Sequence, residues 1–596
     1  MQYSAKCIAE NASLQAFLNS YLRETKSGDI VSTRLNKKEK QSKILQSPQM
    51  LILQLPRQRT QLRIEVWYES LVGRHTFGTV IKEEEDGSWH QQEPLAVLIM
   101  LIQELHLQAS KEGNVSCFDE CLVRMLESYH SMCTYLEHYL DAEKDVHDPN
   151  QLFIEAEQSL LFGHWLHPTP KSRQGMAFWQ HAAYAPELSG EFQLYYFFVH
   201  HSILQQESIL EQSVWEIVTE NAELDALDEK WFPFPMHPLQ AQFLLDQPHV
   251  KEAIRSGLIQ DYGPSGESFT ATSSLRTVFN QTSSWMYKFS IPVKVTNSLR
   301  VNKRHELRAG IFIEKVLNQA SWKSETCHLI ADPAYATVLL PDLNETGFEM
   351  IIRANPFTNG GRGVTTIAAL VQDPLPGSDS KLAIIIKQLA QKERRSICAM
   401  SEKWFSTYLE NAVIPLIMLY DELGIALEAH QQNSLLDVSS GYPAHYYYRD
   451  NQGYYLAKSY RRKLMEREPD LRHAEGLFYD DALIEDRFTY YLLLNQIFAV
   501  IHRFGVDQLL DESRLLTLLH DRLTTCAQAC MGVGKSFIHS VLTKERLAFK
   551  ANLLTRFHDV DELAEALEQA VYVTIPNPFL NGLQKEVYHG DTVAAT

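Results

Sequence analysis

Residues 274–308 hold Arg276, Lys288, Lys294, Arg300, Lys303, Arg304 and Arg308 against a single acid, Glu306. That is +6 in a chain whose formal net charge is −19. Such a stretch can capture anions. Ser274 and Thr277 flank Arg276, and hydroxyls beside a guanidinium are good phosphate ligands. Trp285 to Val295 alternates, which predicts a strand with Tyr287, Phe289 and Ile291 on one face and Met286, Lys288 and Ser290 on the other. A lysine projecting from the interior of a strand suits an anion held in a cleft. On charge alone, a solvated basic strand with ordinary salt bridges is the commoner meaning.

A second group is acidic. Glu428, His430 and Asn433 fall within six residues, and Asp450 follows a strand-like run. Carboxylates with an amide oxygen are the hard ligands Mg²⁺ takes alongside substrate phosphates. A strand lysine, a His-x-x-Asn loop and an Asp on a strand turn resemble the order of parts in protein kinases. The kinase sequence set itself, with its His-Arg-Asp, Asp-Phe-Gly and glycine-rich loop, is absent. MGVGKS at 531–536 is rejected as a phosphate loop, because the first glycine of that pattern is Ala529 and the segment follows a helical stretch.

Three regions must position these groups. Residues 1–150 read as a small antiparallel sheet with helices. Leu62, Ile64, Val66 and Tyr68 alternate as a half-buried strand, Met50–Leu55 and Thr76–Ile81 read similarly, and helices are expected near 95–107 and 117–140. Residues 151–380 carry most of the Gly and Pro punctuation beside polar clusters. Residues 381–596 are mostly helical. Trp404–Leu423 is expected as one helix capped by Gly424, and Arg487–Phe504 as another stopped by Gly505. Residues 445–456 read as strand, tight turn, strand. The class is α+β.

Composition narrows the function classes. The chain has 596 residues, 45% of them hydrophobic, enough for a large core. The acidic balance excludes a protein that coats nucleic acid. The longest apolar run, Leu95–Ile102, is far too short to span a membrane. The first residues show no basic start followed by an apolar core, so a cytoplasmic protein is expected. The eight cysteines form no CxxC pair and have no histidines at zinc-site spacing, so reduced packing thiols are expected.

Eight segments in order resemble the NRPS-independent siderophore (NIS) synthetases, the aerobactin-synthetase-like family. They are GHWLHPTPKSRQG (163–175), HPLQAQ (237–242), TSSLRT (272–277), KFSIPVKVTNSLR (288–300), IIRANPF (351–357), EAHQQN (428–433), YYYRDNQG (446–453) and KANLLTRF (550–557). Within the family the chain is most similar to the petrobactin-type branch, which joins citrate to spermidine. The resemblance implies a cupped-hand fold of thumb (1–150), fingers (151–380) and palm (381–596) with a kinase-like nucleotide element. It implies ATP-dependent adenylation of a carboxylate, then amide formation with an amine, releasing pyrophosphate and AMP. It also implies a homodimer.

Carried over by motif, Ser274, Arg276, Thr277 and Lys288 hold ATP phosphates. His167, Lys171 and Arg173, with His164, line a further loop on the nucleotide side. Arg300 bridges phosphate and carboxylate beside Thr296 and Asn297. His430 contacts citrate and the reacting phosphate. Arg487, Tyr490 and Lys550 complete the citrate pocket, and Glu428, Asn433 and Asp450 hold Mg²⁺. His430, Arg300 and Lys288 are the catalytic candidates. Physical chemistry agrees that many cations are needed, since citrate carries about three negative charges and ATP about four. Spermidine is the favoured amine, with putrescine or another diamine open. So are 2-oxoglutarate or a citrate monoamide as the acid, and a kinase-like phosphotransfer.

Overall fold

The computed structural model describes residues 4–32, 47, 49–113, 117–142, 145–224, 228–320, 322–558 and 571–580. The first region forms as its alternation predicts. Strands Asp29–Ser32, Gln49–Leu55, Thr60–Tyr68, Thr76–Glu83 and Trp89–Gln92 make a five-stranded antiparallel sheet in chain order. Leu51, Leu53, Leu62, Ile64 and Val66 turn one face onto Phe17, Leu18 and Tyr21 of helix Ala5–Thr25. Helices Pro94–Glu112 and Phe118–Asp141 complete this layer. Its core also takes in Leu553 and Phe557, from near the other end of the chain.

The second region is built on an eight-stranded sheet. Its order is Leu204–Ser208, Ala334–Val338, Met350–Ala354, Trp285–Lys288, Thr277–Phe279, Ile259–Ala271, Phe192–His200, Trp231–Met236, and every pairing is antiparallel. Tyr287 and Phe289 pack into the aromatic core on one face. Met286 packs on the other with Phe153 and Phe279. Lys288 therefore leaves the cleft side of a central strand, paired with Thr277 on one side and Ile351 on the other.

The long strand expected over Trp285–Val295 ends at Lys288. Pro292 lacks the N–H that a continuing ladder needs. Lys294–Val295 starts a separate three-stranded sheet with Ser298–Leu299 and Arg173–Gln174. Ile291 accordingly packs with Leu239, Leu275 and Val293 rather than with Tyr287.

The third region is helical around a large core. Two expected helices are each interrupted by a widened π turn. Ile397–Tyr408 and Ile414–Leu423 flank Leu409–Val413, where Ile414 N–H reaches back five residues to the Leu409 carbonyl. Pro415, which has no N–H to give, follows at once. Gly424 caps the rod in the left-handed region at φ 67°, as expected. The second rod runs Asp481–Phe488, Thr489–Ile497 and Phe498–Val506, again with a five-residue bond, Phe498 N–H to Leu493 carbonyl. Gly505 does not stop it. The chain turns afterwards, at Gln508 with φ 56°.

His445–Tyr448 and Tyr454–Ala457 are strands, but they do not pair with each other. The first joins Ser434–Asp437, Val364–Thr366 and Cys327–Leu329 in a four-stranded sheet that spans residue 380, and the second pairs with Ile425–Leu427. The turn between them, Arg449–Gly453, is thereby stretched across the cleft. In MGVGKS, the N–H groups of Met531, Gly532 and Gly534 all donate to the Asp421 carboxylate at 2.8–3.0 Å. An internal anion already takes the donors a phosphate would need. Among the described residues all eight cysteines are free, and no helix is long and apolar enough to cross a membrane.

Candidate functional site

One cavity of about 280 Å³ lies where the eight-stranded sheet, the Arg449–Gly453 turn and the Asp481–Val506 rod meet. Every candidate residue read from the sequence lines it: Ser274, Arg276, Thr277, Lys288, Thr296, Asn297, Arg300, Glu428, His430, Asn433, Asp450, Arg487, Tyr490, Lys550, His164, His167, Lys171 and Arg173. Segments more than 270 residues apart converge on one space.

The cationic wall is buried. Lys288 is 3% exposed and Arg276 4%. The Lys288 ammonium donates to Asp450 Oδ1, to Asn451 Oδ1 at 2.7 Å and to Gln452 Oε1 at 3.2 Å. Arg276 donates to Gln452 Oε1, to Asn302 Oδ1 at 3.1 Å and to the Val301 carbonyl at 3.2 Å. Burial pulls Lys288 down to about 8, with Asp450 opposing and Arg276 and Arg353 adding to the fall. Burial alone would raise Asp450, but Lys288, Arg353 and Arg276 together hold its carboxyl well below the usual range. Asp450 takes φ 146°, Leu275 φ 65° and Thr296 φ 55°, all unfavourable for side-chain-bearing residues. All three sit in loops at the cavity, which is where strain of this kind concentrates.

Buried ion pairs lock the loops. Arg449 Nη2 donates to both Glu157 oxygens at 2.8 and 3.1 Å, and Glu157 also accepts the Ser273 N–H at 2.8 Å. The TSSLRT loop is thus tied to the Arg449–Gly453 turn. Arg353 grips Asp332 with two bonds at 2.7 and 2.9 Å.

The oxygen donors lie together. Asn433 Nδ2 donates to the Glu428 carbonyl at 3.2 Å, which leaves its Oδ1 to accept, and Glu428 N–H bonds the Gly453 carbonyl at 2.8 Å. Two carboxylates and an amide oxygen on neighbouring turns fit a hard divalent cation whose remaining ligands come from substrate phosphates or water. Among the described residues no group of three or more His, Cys, Asp or Glu side chains forms a metal cage.

His430 Nδ1 accepts the backbone N–H of Gln432 at 3.2 Å and of Asn433 at 3.3 Å. The neutral ring therefore carries its proton on Nε2. Burial pulls this imidazole down to about 4, with Asp450 opposing and Lys550, Arg300 and Arg449 adding to the fall. His430 is set up as a neutral donor from Nε2. His167 is arranged alike, with Nδ1 accepting Thr169 N–H and Nε2 donating to Asn297 Oδ1, both at 3.1 Å.

Two cations of the further loop expected on the nucleotide side, Lys171 and Arg173, are ion-paired within the protein. Lys171 Nζ lies 2.5 Å from Glu187 Oε1, and Arg173 Nη2 2.7 and 2.8 Å from the two Glu187 oxygens, all buried. These cations reach the cavity wall with their charge already matched. HPLQAQ lies outside the cavity: His237 caps helix Pro238–Leu245, and Gln240 bonds the Gly347 carbonyl at 3.0 Å. Sequence reasoning missed Glu157, Arg353, Asn451, Gln452 and Asn495. Two of these stand in RDNQG and Glu157 in the run before GHW, so only their partners were hidden.

Residues 152–372 match the IucA / IucC family, and residues 402–565 match a ferric iron reductase FhuF-like transporter family. The chain is 39% identical to a spermidine-citrate ligase of Bacillus anthracis, over 97% of this chain and 98% of that one. It is 30% identical to the rhizobactin siderophore biosynthesis protein RhbC of Rhizobium meliloti (strain 1021), over 88% and 92%. Among solved structures it is similar to ATP-bound aerobactin synthetase IucA from Klebsiella pneumoniae (TM-score 0.84, 24% identity, 96% of this chain and 99% of that one). It is also similar to the petrobactin biosynthesis protein AsbB of Bacillus anthracis (TM-score 0.76, 15% identity, 98% and 97%). These two likenesses support the cupped-hand α+β fold. With its motifs in order and its length matched almost end to end, the chain belongs to the IucA/IucC family of NIS synthetases.

Proposed function

We propose that this chain is an ATP- and Mg²⁺-dependent ligase that joins a citrate carboxylate to a polyamine, with spermidine the favoured amine, in siderophore biosynthesis. The observation that carries the reading is the convergence of Arg276, Lys288, Arg300, Arg487 and Lys550 on one cavity, opposite Glu428, Asn433 and Asp450. Two polyanions can be brought together only against fixed positive charge. At an effective dielectric near 20, each unit pair ~4 Å apart is worth about 4 kcal/mol.

The citrate carboxylate oxygen attacks the α-phosphorus, the bond to the β-phosphate breaks, and pyrophosphate leaves. The amine nitrogen then attacks the acyl carbon, AMP departs, and the nitrogen loses a proton. Ser274, Arg276, Thr277 and Lys288 hold phosphates. Arg300 binds where phosphate and carboxylate meet, beside Thr296 and Asn297. Arg487, Tyr490 and Lys550 hold the remaining carboxylates. His430 donates from Nε2 to an oxygen that gains charge in the transition state. Glu428, Asn433 and Asp450 would hold Mg²⁺, which would neutralise phosphate charge. The reaction belongs in the cytoplasm, where ATP is supplied.

The test is a pyrophosphate-release screen of citrate, 2-oxoglutarate and citrate monoamides against spermidine, putrescine and other diamines, with mass spectrometry of the products. Citrate-dependent pyrophosphate, AMP and a citryl amide are expected. ADP formation would mean phosphotransfer and would refute the ligase reading.

A further inference from the structure

The widened turn Thr489–Ile497 places Tyr490, Tyr491 and Asn495 on the cavity wall. Tyr490 and Asn495 are one five-residue repeat apart, so the π turn brings them to one side. Such turns are rare and gather at functional sites. Tyr490 takes the Asn552 amide at 3.1 Å.

Asn495 is 1% exposed and every polar group of its side chain is engaged. Its Nδ2 lies 2.8 Å from His164 Nε2. Its Oδ1 accepts the Gln431 backbone N–H and the Gln431 side-chain amide, both at 3.2 Å. Its carbonyl accepts the Trp165 indole N–H at 3.3 Å. One residue therefore binds both loops that close the cavity: His164–Trp165, and the loop whose residues Glu428, His430 and Asn433 face the substrates. The rings of His164 and His430 lie 6.2 Å apart, edge to face. The backbone N–H of Gln431 fixes which end of the amide is oxygen, so Nδ2 must point at His164.

We propose that Asn495 is the positioning residue of this site: from the π turn it holds the His164 loop and the Glu428–Asn433 loop in register, and so sets where His430 and the metal-side oxygens meet the reacting phosphate. This rests on the ligase reading. An error of about 1 Å in such placement is enough to slow a reaction 10²-fold. The effect should fall on kcat, because both polar atoms of the Asn495 side chain are already bonded to His164 and Gln431.

The test uses the full chain and two variants. Asn495→Asp keeps the size and the acceptor for Gln431 but sets a carboxylate against His164. Asn495→Leu removes both ties. Each is expected to lower kcat for citrate-dependent amide formation about 10- to 100-fold, with the KM for ATP changed less than threefold. Burial, with His430, His167 and Lys550 facing it, keeps the His164 imidazole neutral in the native protein. Asn495→Asp should therefore also acquire a pH-dependent limb in kcat near neutrality that the native enzyme and Asn495→Leu lack, and the His164 signal in ¹⁵N-histidine spectra should titrate there. Native kcat in both variants, or losses that vanish when the variants are assayed well below their unfolding temperatures, would reduce Asn495 to a structural residue. A His164 signal in Asn495→Asp that does not titrate would overturn the contact. Native protein that forms no citryl amide would overturn the ligase reading, and the imidazole spectra would still decide the contact.

Discussion

The Lys288 ammonium and the Asp450 carboxylate are in direct contact, although one stands on a central sheet strand and the other on a turn 162 residues later. Lys288 is buried and Asp450 half-buried, and Arg353 stands 3.7 Å from the same carboxylate oxygen. In the proposed ligase, a cation assigned to phosphate thus faces a carboxylate assigned to the metal.

Lys288→Ala should lower kcat/KM for ATP by about 10²- to 10³-fold, since it removes a buried charge worth several kcal/mol at short range. Lys288→Arg should recover little, because a planar fork cannot occupy a slot shaped by Asp450, Asn451 and Gln452. Steady-state kinetics of pyrophosphate release measure both. An alanine variant within threefold of native would remove Lys288 from the site.

Glu187 should matter for stability, and only through stability for catalysis. Burial would raise its carboxyl, but Arg173 and Lys171 hold it down at about 2, below its ordinary 4.5. A depressed carboxylate stabilises the fold above the unfolded value, and that stability is lost as pH falls from about 4.5 toward 2. Glu187→Gln leaves two buried cations uncompensated, at a cost of about 3–5 kcal/mol. Denaturant melts at pH 7 should show that loss, and the native protein's acid limb should flatten in the variant.

Glu24 has the opposite sign. It is buried, it accepts the N–H groups of Leu553 at 3.0 Å and Leu554 at 2.8 Å, and burial raises it to about 7. A raised carboxyl favours the fold fully below about 4.5, and that contribution is lost as pH rises through 7. The shift corresponds to about 3 kcal/mol. The native protein should therefore lose stability between pH 5 and 8, and Glu24→Gln should lose much less over that range. Thermal melts across pH check this.

Lys535→Ala should leave ATP-dependent activity at native level. Asp421→Ala should cost about 1–3 kcal/mol in stability, because it strands the N–H groups of Met531, Gly532 and Gly534. A rise in KM for ATP on changing Lys535 would reinstate the phosphate loop.

Much of this was legible in the sequence, for identifiable reasons. Lys288 stood out because it projects from the interior of a strand within a stretch of net charge +6, and Glu428, Asn433 and Asp450 because hard oxygens clustered. What stayed hidden depended on partners. The ion pairs of Lys171 and Arg173 were hidden because nothing in their own segment shows that Glu187, 16 and 14 residues on, would be folded onto them. Asn451 and Gln452 are neutral amides in a turn, and only their placement over Lys288 gives them a role. The π turns leave no periodic mark, since a single extra residue in one turn shifts the apolar face only locally. Pro292 stands inside the alternation of 285–295, and alternation alone does not register its missing N–H.

The first layer of the molecule is closed by the last part of the chain, for Leu553 and Phe557 pack under the sheet that begins at Asp29. During synthesis the ribosome must deliver some 550 residues before that layer has its final neighbours. Until then Leu51, Leu53 and Leu62 lack part of their cover, which is the kind of surface on which unfinished chains aggregate. A protein stopped short of residue 550 should therefore accumulate as insoluble material rather than as a smaller folded enzyme, and its yield in cells should depend on chaperones that hold the nascent amino-terminal layer.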